Sequence, residues 1–256
     1  MIQLTCQAFY FNELQSRFAD QSHPPMLIVQ ISDSHIAAPA EHAADRAGDL
    51  RACVDYIMAL DPPPDLAVHT GDISHNGKAA EYADAADILS DLTMPLHVIP
   101  GNRDDRGALR SRFAQHLPAD CHADFVQYAI DAQGHIMIML DTVSRHSNKG
   151  RLCQARLDHL QDMLEGAGGR AVTIFMHHPP FDVLAAPDPF QFEDPGNVEA
   201  LAQTLSGHPN VRQIYCGHSH RAATGEIAGI AALTIPSIAQ DLRKGPPVSL
   251  QTIAPN

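Results

Sequence analysis

Five apolar stretches of this chain each end directly at a side chain of the kind that binds metal ions. One of them, residues 66–70, ends at Gly71, and the carboxylate of Asp72 follows directly. A buried strand that ends in Gly-Asp supplies a glycine without Cβ and a short side chain with two oxygen donors. Gly-Asp alone is equally typical of a turn or a helix cap. The interpretation as a metal site therefore depends on the same pattern occurring five times along the chain. The five ends supply Asp33, His35, Asp72, Asn102, His177, His218 and His220.

The apolar runs alternate with stretches of helical period, which is typical of βαβ units and an internal, mostly parallel sheet. Two runs around a Gln133-Gly134 turn predict a hairpin, and with it the passage from one sheet to a second. The predicted strands are 26–31, 66–70, 96–99, 125–130, 135–140, 171–176, 211–216, 222–227 and 230–235, and the predicted helices are 43–60, 79–91, 151–165 and 196–206.

The candidate ligands are expected to converge, because ligands of open α/β sheets gather at the carboxyl ends of the strands. Taken singly, each has an ordinary explanation. Asn102 after glycine suits a turn, His177 suits a helix cap, and His218 and His220 suit a surface in a chain with 16 histidines. Carboxylates and an amide oxygen beside imidazoles favour ions such as Mn(II) and Fe over zinc alone. The set fits two ions better than one.

The charge and composition of the chain limit the classes of partner that it can bind. Seventeen Lys+Arg against 30 Asp+Glu give a formal charge of −13, which disfavours nucleic acid polymers and anionic membranes. An anionic substrate then needs a local positive centre, which bound metal ions would supply. Five scattered cysteines without a C-x-x-C pair, no apolar run of membrane-spanning length and no signal peptide predict a cytoplasmic protein with reduced thiols.

The chain divides into three predicted regions. Residues 26–240 form one domain, because a single site needs ligands from both halves of the chain. Residues 1–25 carry apolar side chains at helical spacing and predict an amphipathic arm that packs on the body or on a partner. Residues 241–256 predict a loose C-terminal tail. From the arm we expect a homo-oligomer, most simply a dimer.

The order of the motifs resembles the calcineurin-like metallophosphoesterases over roughly Met26 to Pro236, and within them the bacterial class III cyclic-nucleotide phosphodiesterases and glycerophosphodiesterases. The motifs are Asp33-x-His35, Gly71-Asp72, Gly101-Asn102-x-Asp104, His177-His178-Pro-Pro and Gly217-His218-Ser-His220. The resemblance implies an α/β (α+β) fold, a four-layer αββα sandwich of two mixed β-sheets flanked by helices. It also implies a dinuclear site at the upper edge of the sheets.

The same resemblance implies a ligand set. Asp33, His35 and His220 would hold one ion, Asn102, His177 and His218 the other, and Asp72 would bridge them. The ions would be two of Fe, Mn, Zn or Co. The implied activity is hydrolysis of a small phosphodiester, such as 3',5'-cAMP or a glycerophosphodiester, by attack of metal-bound hydroxide.

Arg103 stands where the family usually has histidine. Arginine cannot donate a proton at physiological pH, but it can clamp a phosphoryl oxygen, so we expect electrostatic help without leaving-group protonation. The alternative is a solvated arginine paired with Asp104 or Asp105. Phe181 follows the His177 strand and is a candidate to stack on a substrate base, or else packs on the body or on a neighbouring subunit.

Two other functions stay open. A phosphomonoesterase or protein phosphatase on the same fold is the first, although such enzymes tend to carry Gly-Asp-x-x-Asp-Arg-Gly and Gly-Asn-His-Glu. This chain has 71–77 as Gly-Asp-Ile-Ser-His-Asn-Gly and 101–104 as Gly-Asn-Arg-Asp. The second is a scaffold on a catalytically dead fold, against which seven intact ligands argue.

Overall fold

The structure, a computed structural model, describes residues 26–38 and 44–244 in full and the backbone of residues 7–10. Elements are numbered in chain order. The strands are β1 Gln7–Tyr10, β2 Leu27–Ile31, β3 Leu66–His69, β4 Leu96–Val98, β5 Tyr128–Ala132, β6 His135–Leu140, β7 Val172–Met176, β8 Val211–Cys216, β9 Ala223–Ile227 and β10 Ile230–Thr234. The helices are α1 Arg46–Met58, α2 Ala79–Leu89, α3 Arg106–Arg112, α4 Gln154–Gly166 and α5 Pro195–Ser206, with a 3-10 turn at Ala114–His116.

The strands form two mixed sheets. The first has the order β1-β2-β3-β4, with β2, β3 and β4 parallel and β1 antiparallel to β2. The second has the order β5-β6-β7-β8-β10-β9, in which the four inner strands are parallel and β5 and β9 run antiparallel at the edges. In both sheets the carboxyl ends of the parallel strands therefore meet at one edge.

Alternation along β6 and β7 stacks the sheets into layers. Met137, Met139 and Phe175 belong to the core shared with the first sheet, whereas Ile138 and Ile174 pack with the apolar faces of α4 and α5. Side chains of a strand point to opposite faces in turn, so one sheet serves two cores. With α1 and α2 on the outside of the first sheet, this confirms the predicted four-layer αββα sandwich.

Some local predictions differ from the structure. The backbone of residues 7–10 pairs with β2, so the helical interpretation of the arm is wrong there; the rest of 1–25 lies outside the described residues. Helix α3 was not predicted. Its seven residues contain a single buried apolar side chain, Leu109, and so show no period, but Asp105 caps it by accepting a hydrogen bond from the Ala108 amide at 2.8 Å.

Part of the predicted C-terminal tail is packed on the body. Asp241 accepts two hydrogen bonds from the buried Arg46, at 3.1 and 2.8 Å, and the Lys244 amide donates to the His220 carbonyl at 2.8 Å. Residues 245–256 lie outside the described residues. Among the helices that are described, none is both long and apolar enough to cross a membrane.

Candidate metal centre

The loops that follow β2, β3 and β8 turn sharply at the candidate ligands. Asp33, His35, Asp72, His218 and His220 have φ values of 57°, 46°, 52°, 69° and 55°. A positive φ is unfavourable for residues with a Cβ and persists where the surrounding structure over-determines it. Only two other non-glycine residues in the described ranges share it, both at hairpin turns. The strain is thus concentrated at the predicted site.

Two glycines let these loops approach one another. Gly71 has a φ of 99°, and a Cβ on it would lie 2.6 Å from the Gly101 nitrogen. A Cβ on Gly101 would lie 2.2 Å from Oδ1 of Asp72. Both distances are below any ordinary contact, so glycine is required where the β3 and β4 loops cross.

The first half-site consists of Asp33, His35, Asp72 and His220. Each of these four side chains offers one nitrogen or oxygen atom that could bind a metal ion, and these four atoms all lie within 4.8 Å of one another. The Nε2 atoms of His35 and His220 are 3.1 Å apart, and Nε2 of His220 lies 3.3 Å from Oδ1 of Asp33. Nε2 of His35 lies 3.4 Å from Oδ2 of Asp72. These separations suit four ligands around one ion bound at about 2.0–2.2 Å.

The second half-site consists of Asn102, His177 and His218, with Asp72 shared. Oδ1 of Asn102 lies 2.9 Å from Nδ1 of His218 and 3.2 Å from Nε2 of His177. Oδ1 of Asp72 is 3.6 Å from Nε2 of His177. The two oxygens of Asp72 thus face different half-sites. All seven predicted ligands thus lie close together, and their division between two ions stays a prediction.

The electrostatics of the side chains fit cations. Burial and the neighbouring Asp33 charge raise the pKa of Asp72 to about 8. Burial also opposes ionisation of Asp33, but the adjacent His220 holds the pKa of Asp33 below its usual range. Burial and His177 lower the pKa of His218 to about 3, and burial lowers that of His177. Neutral imidazoles are the metal-binding form, and a cation relieves the repulsion between the two carboxylates.

A buried oxygen of Asp33 without a hydrogen-bond donor in the described part of the chain also indicates a cation site. Oδ1 of Asp33 is buried and has no hydrogen-bond partner among the described residues, whereas Oδ2 accepts from the His218 amide at 3.0 Å. A buried carboxylate oxygen without a donor is costly unless a cation occupies its lone pair. The donor set and this orphaned oxygen both fit metal ions.

Backbone carbonyls orient two of the histidines. Nδ1 of His177 donates to the Thr70 carbonyl at 2.7 Å, and Nδ1 of His220 donates to the Leu242 carbonyl at 3.2 Å. These bonds put the proton on Nδ1 and leave Nε2 free to face the centre. Such outer partners fix the tautomer and the ring direction of metal-binding histidines.

Sequence reasoning missed two supporting side chains. The buried Asp104 accepts hydrogen bonds from the amides of Gly101, Ile73 and Ser74 at 2.8, 3.2 and 3.0 Å, and from the Tyr82 hydroxyl at 3.0 Å. It thereby ties the β3 and β4 loops together. Its place in Gly-Asn-x-Asp is the available signal, although the sequence analysis treats Asp104 only as a partner for Arg103.

The second missed residue is His178. Its Nδ1 lies 2.8 Å from the Thr142 hydroxyl, its Nε2 donates to the Asn148 carbonyl at 3.1 Å, and its ring is 4.5 Å from that of His218. His178 also lies within metal-binding distance of His177 and His218, but both of its ring nitrogens are engaged in hydrogen bonds, so we assign it a supporting role beside the second half-site. The His-His dipeptide was the available signal.

Arg103 is exposed beside the centre. Its amide donates to Oδ1 of Asp72 at 2.7 Å, and its charge acts to lower the pKa of both Asp72 and His218. Its guanidinium makes no ion pair with any residue in the described ranges, and Asp104 is engaged by backbone amides instead. The charged group is therefore free to meet a ligand.

Phe181 has a different setting. The Phe181 ring covers Gly225 of β9 so closely that a Cβ added to Gly225 would lie 2.3 Å from Cγ of Phe181. The half-buried Phe181 side chain also packs against the core under α4 and α5. Phe181 thus packs on the body of the protein, which is the alternative to base stacking given above. Contact between Phe181 and substrate stays a prediction.

The calcineurin-like phosphoesterase family model matches residues 26–222, and the chain belongs to this family. The resemblance inferred from the five motifs is thereby confirmed. A probable glycerophosphodiester phosphodiesterase GpdQ of Arcobacter nitrofigilis is 32% identical over 228 residues, 86% of this chain and 82% of that protein. The 3',5'-cyclic adenosine monophosphate phosphodiesterase CpdA of Pseudomonas aeruginosa is 28% identical over 218 residues, covering 83% and 76%.

Solved structures match the fold as well. A dimetal phosphatase from Danio rerio superposes with a TM-score of 0.64 at 18% identity, covering 94% of this chain and 89% of that one. At this identity the likeness concerns the fold alone.

Proposed function

We propose that this protein is a metal-dependent phosphodiesterase that hydrolyses a small phosphodiester, a cyclic nucleotide such as 3',5'-cAMP or a glycerophosphodiester. The observation that carries the proposal is one carboxylate, Asp72, whose two oxygens face two separate groups of imidazole and carboxylate ligands, 3.4 Å from His35 and 3.6 Å from His177. The names of the relatives, glycerophosphodiester phosphodiesterase and cyclic AMP phosphodiesterase, support the same class of substrate.

The residues fit two ions drawn from Fe, Mn, Zn or Co. Asp33, His35 and His220 would hold one, Asn102, His177 and His218 the other, and Asp72 both. Bound there, such ions supply Lewis-acid polarisation of a phosphoryl oxygen and an activated water. Carboxylates, an amide oxygen and imidazoles together suit this range of metals.

The chain's own part in the reaction is binding and orientation. The carbonyls of Thr70 and Leu242 aim the imidazoles of His177 and His220 at the centre, so little reorganisation is needed when substrate binds. The exposed guanidinium of Arg103 would donate hydrogen bonds to a phosphoryl oxygen and hold the phosphorus in register. It keeps its proton throughout, so Arg103 contributes charge and leaves the departing alkoxide unprotonated.

A comparison of substrates tests this function. The metal-loaded protein is assayed on bis-p-nitrophenyl phosphate, p-nitrophenyl phosphate, 3',5'-cAMP and a glycerophosphodiester. We expect a higher kcat/KM for the diesters, loss of turnover in Asp72→Ala, and little change in Asp105→Asn, an exposed carboxylate two residues beyond Arg103. A higher kcat/KM for the monoester would point to a phosphomonoesterase, and no turnover by fully loaded protein would point to a scaffold.

The partners and the location are part of the proposal. The charge of −13 supports a small substrate in place of a nucleic acid polymer. We further propose a cytoplasmic homodimer. The scattered cysteines without a C-x-x-C pair support the location, and the apolar side chains of residues 1–25 support the dimer, with residues 7–10 bound to β2 as a strand and not as part of a helix. Sedimentation velocity of the full chain beside a chain starting at Met26 tests the dimer: the truncated chain should be a monomer that still binds metal.

A further inference from the structure

A cavity lined by four arginines lies outside the metal centre. It has a volume of about 430 Å³ and opens between the start of α3, the loop before β5, the loop after β6 and the start of α4. None of the seven candidate ligands lines it. Its lining residues are Arg106, Asp124, Phe125, Val143, Ser144, Arg145, His146, Arg151, Cys153 and Arg156. Four of the chain's 17 basic side chains therefore meet at one cavity of a protein with a charge of −13.

Two of the arginines are built into the cavity wall. Arg106 donates to both carboxylate oxygens of the buried Asp141 at 2.7 Å, and Nη1 of Arg156 lies 3.5 Å from the same carboxylate. Both guanidiniums also donate to the Val143 carbonyl and lie over the ring of Phe125, 5.5 and 4.7 Å from its centre. Their positions are thus fixed before any ligand arrives.

The wall carries a small excess of positive charge, because its four guanidiniums face three carboxylates: Asp124 in the lining, Asp141 and Glu193. One carboxylate, Asp141, serves two guanidiniums, and Arg156, which is 3% exposed, keeps an Nε–H without an acceptor in the described residues. Partial burial works against ionisation of Cys153, yet hydrogen bonds and charge from Arg156 lower the pKa of its thiol. A buried donor without a partner and a stabilised thiolate both indicate a wall that attracts anions.

The other two arginines are free to close on a ligand. Arg145 is exposed and forms no ion pair with any described residue. Nη1 of Arg151 is 3.9 Å from Glu193, and its side chain is 46% exposed, so that contact is loose. Surface pairs of this kind contribute little and are readily exchanged for a better acceptor.

We propose that this cavity binds a phosphomonoester dianion at a site distinct from the metal centre. Planar guanidinium forks match the oxygens of a phosphate. The two loosely held guanidiniums, Arg145 and Arg151, can each pair with one charge of a dianion, whereas a diester offers a single charge. The volume exceeds that of phosphate alone and leaves room for a small organic group beside Phe125. Binding at this cavity does not depend on the proposed activity.

Cys153 offers a readout confined to the cavity. The metal-loaded protein is alkylated with iodoacetamide, and the rate at Cys153 is measured by peptide mass spectrometry against that at the half-buried Cys121, which lies outside the cavity. The probe is phenylphosphonate, a dianion that cannot be hydrolysed, at a pH well above its second pKa. We expect it to slow alkylation of Cys153 several-fold and to leave Cys121 unchanged.

Matched probes and variants make the test specific. Methyl phenylphosphonate, which has a single charge, and succinate, whose charges are separated, should protect weakly. Arg145→Gln/Arg151→Gln should weaken the protection by about tenfold for each arginine removed. Arg51→Gln/Arg112→Gln, with the same charge change at exposed positions of α1 and α3, should retain it.

Diester hydrolysis should be the same in both double variants, so failure of this site and failure of the proposed activity are told apart. No protection of Cys153 by phenylphosphonate, equal protection by the singly charged ester or by succinate, or full protection in Arg145→Gln/Arg151→Gln would each overturn the proposal.

Discussion

Nδ1 of His220 donates a hydrogen bond to the carbonyl of Leu242 at 3.2 Å, so a metal-ligand histidine candidate is oriented by a segment that the sequence suggested was a loose tail. The buried Arg46 holds that segment through Asp241 and also donates to the His35 carbonyl at 3.2 Å. Arg46 therefore ties the backbone of His35 to the segment after β10, whose Leu242 carbonyl orients the His220 ring.

This link predicts that Asp241→Asn weakens the first half-site selectively. Loss of the charge leaves Arg46 buried with less compensation and loosens the Leu242 carbonyl. We expect a loss of about 10–100-fold in affinity for one of two ions, the range found for partners of metal ligands. Metal analysis after graded chelation measures it. Asp131→Asn, which breaks an exposed pair with Arg170, is the control, and equal metal loss in both variants would contradict the link.

Asp72→Ala should reduce metal binding at both half-sites and abolish turnover, because its two oxygens face different groups of ligands. Since outer partners alone are worth about 10–100-fold, removing a shared ligand should cost more than about a hundredfold in metal affinity. Asn102→Ala should affect mainly the second half-site. Elemental analysis that finds two ions retained in Asp72→Ala would remove its bridging assignment.

Arg103 separates a charge effect from a proton-donor effect. Arg103→Ala should lower kcat/KM by roughly one to three powers of ten, similarly for good and poor leaving groups, as for loss of one electrostatic donor. Arg103→His should favour poor leaving groups, because histidine can protonate an alkoxide. Rates across a series of aryl and alkyl diesters measure this. Equal dependence on leaving-group pKa in the native enzyme and Arg103→His would return Arg103 to the surface interpretation.

His135 makes stability depend on pH. Burial, with a smaller contribution from the Arg212 charge, lowers the pKa of His135 to about 3, while an unfolded histidine titrates near 6.5. The unfolded state therefore binds more protons between these values, so the stabilisation is present above pH 6.5 and is lost as pH falls towards 3. This residue should contribute a slope of about 1.4 kcal/mol per pH unit. Urea unfolding of His135→Gln should show a shallower slope, and that of exposed His146→Gln an unchanged one.

The succession of strands along the chain and the candidate ligands could be predicted from the sequence because both are local properties. A buried strand is an apolar run, and a ligand that follows it directly is visible at once; Asp72 and His177 were found in this way. The parallel arrangement then follows from alternation with helices, and it sends all such ends to one edge. Helix α3 escaped because a short, capped helix with one buried side chain has no period to detect.

Only the tertiary structure decided which distant groups meet. Several contacts join segments that are distant in the chain: the four donors that surround Asp104, the Leu242 carbonyl behind His220, and the guanidiniums that share Asp141. The positive φ values of Asp33 and His220 arise in the same crowded loops. No local pattern encodes these contacts, because they depend on the order of strands in each sheet and on the packing of one sheet against the other. The sequence determined the kinds of ligand and their edge of the sheet; the packing of two sheets decided how each ligand is oriented, since loops held on both sides cannot relax to their preferred backbone.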